Sequence, residues 1–102
     1  DLDYAILHLS DEAGYDGKVS RQGAQAFKAR VLLFEGTWEK YVGVTTDGNG
    51  TSEGAGSSKP SDYPSVESML TEAASLANEI IVSGKYELWN AKGTAYESIA
   101  YN

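Results

Sequence analysis

The chain has 102 residues, a formal net charge of −7 and no cysteine. A chain of this length is expected to form one small domain, and the absence of cysteine excludes disulfides, thiolate metal sites and cysteine nucleophiles. The negative charge disfavours nucleic acid and anionic lipid surfaces as partners, because like charges repel. No apolar run approaches the roughly 20 residues that a membrane-spanning helix needs.

The first predicted element is a short amphipathic helix over residues 1–9. Spacings of three and four residues place four apolar side chains on one face: Leu2, Ala5, Ile6 and Leu9. A turn is predicted around Gly14, Asp16 and Gly17. No signal peptide precedes the first helix, and the chain ends at Asn102 without a stop signal, so we expect it to be a piece of a longer protein.

A second helix is predicted from Arg21 to about Phe34, with a continuation past Gly36 to Tyr41 left open. Ser20 is a good N-cap because its hydroxyl can accept a free amide of the first turn. Small and large apolar residues alternate along this helix. Such alternation allows a neighbouring helix to approach closely while the large side chains fill the gaps.

Residues 44–62 are predicted to form a flexible surface loop, because glycine, serine and threonine dominate and large apolar residues are almost absent. The segment 47–53 has oxygen donors at alternate positions, as calcium loops do. However, Ser52 stands where an EF-hand needs glycine, and Ser58 stands where it needs glutamate. The flexible loop is therefore preferred to a calcium site, and no metal is predicted.

The third helix is predicted from Ser65 to Ser83, with Pro64 in its first turn and Gly84 as a left-handed C-cap. Residues 86–89 are expected to be extended, and residues 95–101 to begin another helix. The predicted core lies between the second and third helices and comprises Phe27, Val31, Phe34, Leu70, Ala73, Ala77 and Ile80. Ala29 and Ala77 are expected to be more buried than any glutamate of these helices.

The predicted fold class is thus all-α. The pattern is typical of a helical hairpin of the tetratricopeptide (TPR) kind, forming one unit over residues 1–102 with a long Gly/Ser-rich loop, 44–62, between the two main helices. A hairpin of this kind favours binding or scaffolding rather than catalysis.

Three segments carry a resemblance to a known family. Residues 17–20 lead into residues 23–36, residues 37–41 follow, and an alanine-rich helix ends in residues 80–88, Ile-Ile-Val-Ser-Gly-Lys-Tyr-Glu-Leu. Their order and spacing, with a variable loop between the helices, resemble the SusD/RagB family of outer-membrane nutrient-binding lipoproteins. The resemblance covers nearly the whole chain but only a small part of a family member.

The resemblance implies a protein that is not an enzyme and needs no cofactor. Members of the family are held at the cell surface by an N-terminal lipid, cap a SusC-like TonB-dependent transporter and capture glycans or peptides for import. This chain would be part of the TPR-like scaffold of such a parent, which would carry the lipid-bearing cysteine and most ligand contacts elsewhere. The alternatives left open are a stand-alone TPR-type protein-interaction module and a helical accessory segment of a hydrolase.

Trp89 and Tyr86 are the candidate ligand-binding residues, because aromatic faces stack on the apolar faces of sugars. Packing of Trp89 over the end of the third helix is the competing interpretation. Trp38 is expected to pack in the core, where a hairpin needs a large side chain. Arg30 is expected to form a salt bridge with Glu72 or Asp3 across the hairpin.

No catalytic residue is predicted. His8 is the only histidine, so a zinc site would depend on carboxylates alone. No serine has the surroundings of a nucleophile elbow. Glu67, Glu72 and Glu79 are interpreted as the solvated face of the third helix rather than as a glycosidase pair.

Overall fold

A computed structural model describes residues 1–11, 14–15, 17–43 and 62–86. These ranges contain three helices and no strand: α1 is Leu2–His8, α2 is Arg21–Val42 and α3 is Val66–Val82. The prediction of an all-α chain built around a helical hairpin is confirmed. The predicted flexible loop (except Asp62), the segment compared with calcium loops, Trp89 and the predicted helix at residues 95–101 lie outside the described residues.

α2 begins directly after Ser20, the predicted N-cap. It continues beyond Phe34 and includes the stretch to Tyr41 that the sequence left open. The Ser20 hydroxyl accepts a hydrogen bond from the Gly23 amide at 3.2 Å, which satisfies one of the free amides of the first turn. The helix passes through Gly36 and ends at Gly43, whose φ of +87° is left-handed and whose amide donates to the Glu39 carbonyl at 2.8 Å. With 22 residues, α2 is about 33 Å long.

α3 has the same kind of serine cap, because the Ser65 hydroxyl accepts from the Ser68 amide at 3.1 Å. Pro64 precedes this cap, so its predicted place in the first helical turn is wrong by two positions. At the other end, Gly84 has a φ of +65° directly after the capping Ser83, as predicted. Both ends of α3 are therefore determined by local sequence.

α2 and α3 approach each other closely at Gly36. A Cβ added to this glycine would lie 3.0 Å from Leu70 Cδ2, 3.2 Å from Leu70 Cγ and 3.4 Å from Met69 Cβ. The Met69 side chain beneath this contact is only 2% exposed, and Ala73 and Leu76 on the same face of α3 are also buried. The close helix approach predicted from the small residues of α2 thus centres on Gly36.

Four of the predicted core residues are not in the core. Phe27 and Phe34 are 57% and 60% exposed, and Val31 and Ala77 are also exposed. The physical reason is that α2 turns its small residues toward α3, and this rotation leaves its aromatic residues on another face. Of the remaining predictions, Ala73 is buried, whereas Leu70 and Ile80 are half-buried.

The expected order of burial between alanine and glutamate is also wrong. Glu35 is only 8% exposed, whereas Ala29 is half-buried and Ala77 is exposed. The open side of the alanine-rich face forms a groove between the helices that includes both alanines.

α1 packs on the N-terminal half of α2 through the predicted face. Its four face residues are all half-buried, whereas Tyr4 and Leu7 on the outer side are exposed. The Arg21 amide donates to the Ser10 carbonyl at 2.8 Å, and Arg21 Nε donates to the Leu9 carbonyl at 3.2 Å. Within the described ranges, none of the helices is both long and apolar enough to cross a bilayer.

Replacing Gly36 by leucine should destabilise the hairpin. The added Cβ alone would require Leu70 to shift slightly, and the rest of a leucine side chain needs more room, so the helices must repack around it. Overpacking of this kind costs about 1–3 kcal/mol, against a gain of roughly 1 kcal/mol in helix propensity. A net loss of up to about 2 kcal/mol in the free energy of unfolding is expected in urea unfolding followed by circular dichroism.

Ala77→Leu adds a large side chain at an exposed position of α3 and serves as the control. Its unfolding free energy should stay within about 0.5 kcal/mol of the wild type. A Gly36→Leu chain that is more stable than the wild type, or an Ala77→Leu chain that loses more stability than Gly36→Leu, would contradict the observed packing.

Candidate functional site

The largest described aromatic surface lies along α2 and consists of Phe27, Val31, Phe34, Trp38 and Tyr41, here called the aromatic stripe. Spacings of four, three, four and three residues keep these side chains on one face of the helix. All five are exposed, from 39% for Trp38 to 80% for Tyr41. The rings of Phe34 and Trp38 stack with centroids 6.2 Å apart. The expectation that Trp38 belongs to the core is therefore wrong.

A groove of about 280 Å³ lies along the N-terminal half of the aromatic stripe. Phe27, Val31 and Phe34 line it together with Arg30 and Glu35, which bring opposite charges to it. Neighbouring apolar side chains that remain exposed in this way often mark a surface that binds another apolar surface. The sequence signal for the stripe was its spacing of alternating three and four residues, which is separate from the small residues that face α3.

A second groove, of about 480 Å³, continues the apolar surface onto α1. Phe27 belongs to both grooves, and Leu2, Leu9 and Val19 line the second one. Lys18 stands at its wall with its ammonium 5.4 Å from the centre of the Tyr15 ring. The exposed apolar surface therefore extends from the start of α2 to its end.

Lys28 connects all three helices. Its ammonium group lies within hydrogen-bonding distance of the Asp3 carboxylate on α1 and the Glu72 carboxylate on α3. Only 15% of the Lys28 side chain is exposed, whereas the two acids are far more accessible. One turn earlier, Gln25 Nε2 donates to Glu79 Oε2 at 2.8 Å, which adds a second polar connection between α2 and α3.

This arrangement shifts the pKa values of two of its members. Partial burial by itself lowers the pKa of Lys28, but the hydrogen bonds and charges of Asp3 and Glu72 outweigh it, and the net pKa is raised. The hydrogen bond from Lys28 lowers the pKa of Asp3, and the positive charge adds to the effect. Both shifts favour the charged forms, so the ion pair persists over a wide pH range.

The salt bridge predicted between Arg30 and Glu72 or Asp3 is correct in its acids and wrong in its cation. Asp3 and Glu72 bind Lys28, and Arg30 forms no ion pair with any residue that the structure describes. Residues two positions apart on a helix point about 200° apart, so acids that face Lys28 cannot be reached from Arg30. Arg30 instead lines the groove at the aromatic stripe.

A second charge cluster joins the two ends of the hairpin. The Asp11 carboxylate binds Arg21 Nη1 and Lys85 Nζ, each at 2.9 Å. The hydrogen bond from Lys85 and the nearby charge of Arg21 lower the pKa of Asp11. Because Asp11 precedes α2 and Lys85 follows α3, this cluster holds the chain segments at this end together.

Tyr86 is the only candidate ligand-binding residue among those described. It is 56% exposed and lies beside a groove lined by Ser20, Gln22, Gly23 and Ile80. The other candidate, Trp89, lies outside the described residues. The structure thus leaves Tyr86 available for contact. Ser20 and Gly23 line both the Tyr86 groove and the second groove, so the two grooves adjoin near the start of α2.

The remaining polar candidates occupy surface positions. His8 is exposed, with its ring centroid 4.1 Å from that of Tyr4. Glu67, Glu72 and Glu79 are exposed on α3, but Glu72 and Glu79 also bind Lys28 and Gln25 of α2, so these two are not simply solvated. Among the described residues, no cluster of three or more histidine, cysteine, aspartate or glutamate side chains could hold a metal ion.

No family model, curated protein or solved structure matches this chain.

Replacing Lys28 by methionine should flatten the pH dependence of stability. Since the Asp3 pKa is lowered from its ordinary 3.8, the wild type gains stability from the pair above that pH and loses it as the pH falls further. Since the Lys28 pKa is raised from its ordinary 10.5, its contribution is lost as the pH rises through the raised value. Urea unfolding between pH 2 and pH 5 would measure the acid limb.

Lys40→Met is the matched control, because Lys40 is an exposed lysine on the same helix and lies near the Tyr41 ring rather than an acid. Lys40→Met should keep the acid-induced loss of the wild type, part of which comes from Asp11. An equal acid-induced loss in Lys28→Met and in the wild type would show that Lys28 does not stabilise the ionised form of Asp3.

Proposed function

We propose that this chain is a non-catalytic scaffold part of a cell-surface, glycan-binding lipoprotein of the SusD/RagB kind. The observation that carries the proposal is the position of the resembling segments within the helices. Residues 23–41 fall within α2, which runs unbroken through Gly36, and residues 80–86 span the end of α3 and its glycine turn. The order of segments that carries the resemblance thus coincides with a helical hairpin.

In this proposal the parent protein captures its ligand without covalent chemistry. The hairpin supplies a rigid support and a surface that faces a SusC-like TonB-dependent transporter, and segments outside this chain hold most of the glycan. The Lys28 and Asp11 ion pairs suit a support, because they fix the relative positions of the three helices. The parent is proposed to lie at the outer-membrane surface, held by a lipid anchor.

A stand-alone TPR-type protein-interaction module is the second candidate function. The aromatic stripe favours it, because side chains of this size left exposed on a helix are typical of a surface that binds another helix. A longer reading frame distinguishes the two candidates. A lipid-attachment cysteine after a signal peptide, beside a gene for a TonB-dependent transporter, supports the scaffold, whereas tandem repeats of about 34 residues support the module.

Isothermal titration against a panel of host and plant glycans tests the scaffold proposal. The chain alone should show no binding at about millimolar or tighter affinity, because most ligand contacts belong to other segments of the parent. The full-length parent should bind at least one of the same glycans. It should also co-purify with its TonB-dependent transporter.

Trp89→Ala and Tyr86→Ala in the chain alone provide the control for a local site. If the chain binds a glycan and either substitution abolishes that binding, the chain itself carries a site and the scaffold proposal is wrong. Cleavage of any glycan by the chain would contradict the non-catalytic assignment.

A further inference from the structure

α1 is the least firmly packed of the three described helices. It has seven residues, none of them buried, and of the other two helices it packs on α2 alone. An isolated helix shorter than about 12 residues is marginal in water, so α1 depends on its contact with α2 to remain helical. By contrast, α3 buries Met69, Ala73 and Leu76. The free energy that holds α1 in place is therefore smaller than the one that holds the hairpin together.

The ion pairs of Lys28 allow α1 to leave without disturbing the hairpin. The Lys28 ammonium binds Asp3 of α1 and Glu72 of α3 at the same time. Removing a partner from a charge is costly chiefly when the charge is left buried and alone. If Asp3 moves away with α1, Lys28 keeps Glu72 as its partner and becomes more exposed to water. Lys28 thus holds α1 in place, while its link to α3 does not require α1.

The chain that follows α1 is anchored to the hairpin by contacts of its own. Leu9 leaves the helix in an extended conformation, and Arg21 donates hydrogen bonds to the Leu9 and Ser10 carbonyls. The Asp11 carboxylate binds both Arg21 and Lys85. Because this anchor lies beyond the end of α1, the helix can move away from α2 about Leu9 while the following residues stay in place.

Movement of α1 would change the surface of α2. Ala24 is only 4% exposed, and it lines the second groove together with Leu2 and Ala5 of α1. Phe27, the first residue of the aromatic stripe, lines the same groove. Opening of α1 would therefore uncover Ala24 and join it to the exposed apolar surface that begins at Phe27.

We propose that α1 opens from α2 as a separate unit while the α2–α3 hairpin stays folded, and that the ion pair between Lys28 and Asp3 holds it closed. The closed arrangement is the major state, and the open one is a minor state reached by local unfolding. This behaviour goes beyond the scaffold function and does not depend on it.

Amide hydrogen exchange of the 102-residue chain, followed by nuclear magnetic resonance, tests the proposal. The Ala5 and Leu9 amides donate to the Asp1 and Ala5 carbonyls and report on α1. The Gly36 and Ala73 amides lie inside α2 and α3 and report on the hairpin. After correction for intrinsic rates, protection should be at least about tenfold lower in α1. Equal protection in α1 and the hairpin overturns the proposal.

Asp3→Asn separates local opening from unfolding of the whole chain. It should lower the protection of Ala5 and Leu9 by about two- to fivefold, the effect of one partly exposed ion pair, and leave Gly36 and Ala73 unchanged. If α1 opened only with the whole chain, protection would fall equally at all four amides. That result, or unchanged protection in α1, overturns the proposal.

Asp1→Asn is the matched control, because it removes the same charge from the same end of α1 and Asp1 makes no side-chain capping hydrogen bond. At about 0.15 M salt, which screens exposed charges, it should lower α1 protection less than Asp3→Asn does. In a Lys28→Met background the two substitutions should have equal effects, because the cation that Asp3 binds is gone. An undiminished effect of Asp3→Asn in that background would show that Lys28 does not hold α1 closed.

Discussion

The close approach of α3 to Gly36 determines how the rest of the hairpin is arranged. A Cβ on residue 36 would lie 3.0 Å from Leu70 Cδ2 and 3.4 Å from Met69 Cβ, so a side chain there would press against α3. This contact sets the rotation of α2 about its own axis. Once the glycine faces α3, the phenylalanine and tryptophan side chains of α2 must lie on another face, where they form the aromatic stripe.

Polar contacts reinforce the same rotation. Gln25 and Lys28 lie on the part of α2 that can reach Glu79 and Glu72 of α3, and Lys28 also reaches Asp3 of α1. Individual exposed ion pairs contribute little to stability. Their value here is geometric, because one cation shared by two acids holds three helices in one arrangement. In a chain with fifteen acidic and eight basic residues, such sharing also reduces repulsion between carboxylates.

Local sequence predicted the helices well because their ends depend on local chemistry. Ser20 and Gly84 act as expected, and Ser65 caps the third helix. The failures concern which face of α2 is buried. Large apolar residues occupy one side of α2 and small residues another. The prediction placed the large side chains of Phe27 and Phe34 in the core, whereas in the structure Gly36 faces α3. Which face of α2 is buried depends on the distance between α2 and α3, and the sequence of one helix does not show that distance.

The prediction of functional residues was limited in the same way, because the sequence did not show which face of α2 is buried. Tyr86 and Trp89 stay predictions as ligand-binding residues, since Tyr86 is exposed and Trp89 lies outside the described residues. The exposed aromatic stripe on α2 was not predicted. The correct acids and the wrong cation were assigned to the salt bridge, because the choice between Lys28 and Arg30 depends on the rotation of α2. The wrong placement of Trp38 and the wrong choice of cation therefore have one cause, the rotation of α2.

The contact between Gly36 and Leu70 can be observed directly by nuclear magnetic resonance. In a nuclear Overhauser experiment on the chain with labelled leucine methyl groups, the Gly36 α-protons should show strong cross-peaks to the Leu70 δ-methyl groups. The Phe34 ring protons should show none to Leu70. Cross-peaks from Leu70 to the Phe34 ring, without any to Gly36, would show that α2 is rotated the other way and would contradict the account.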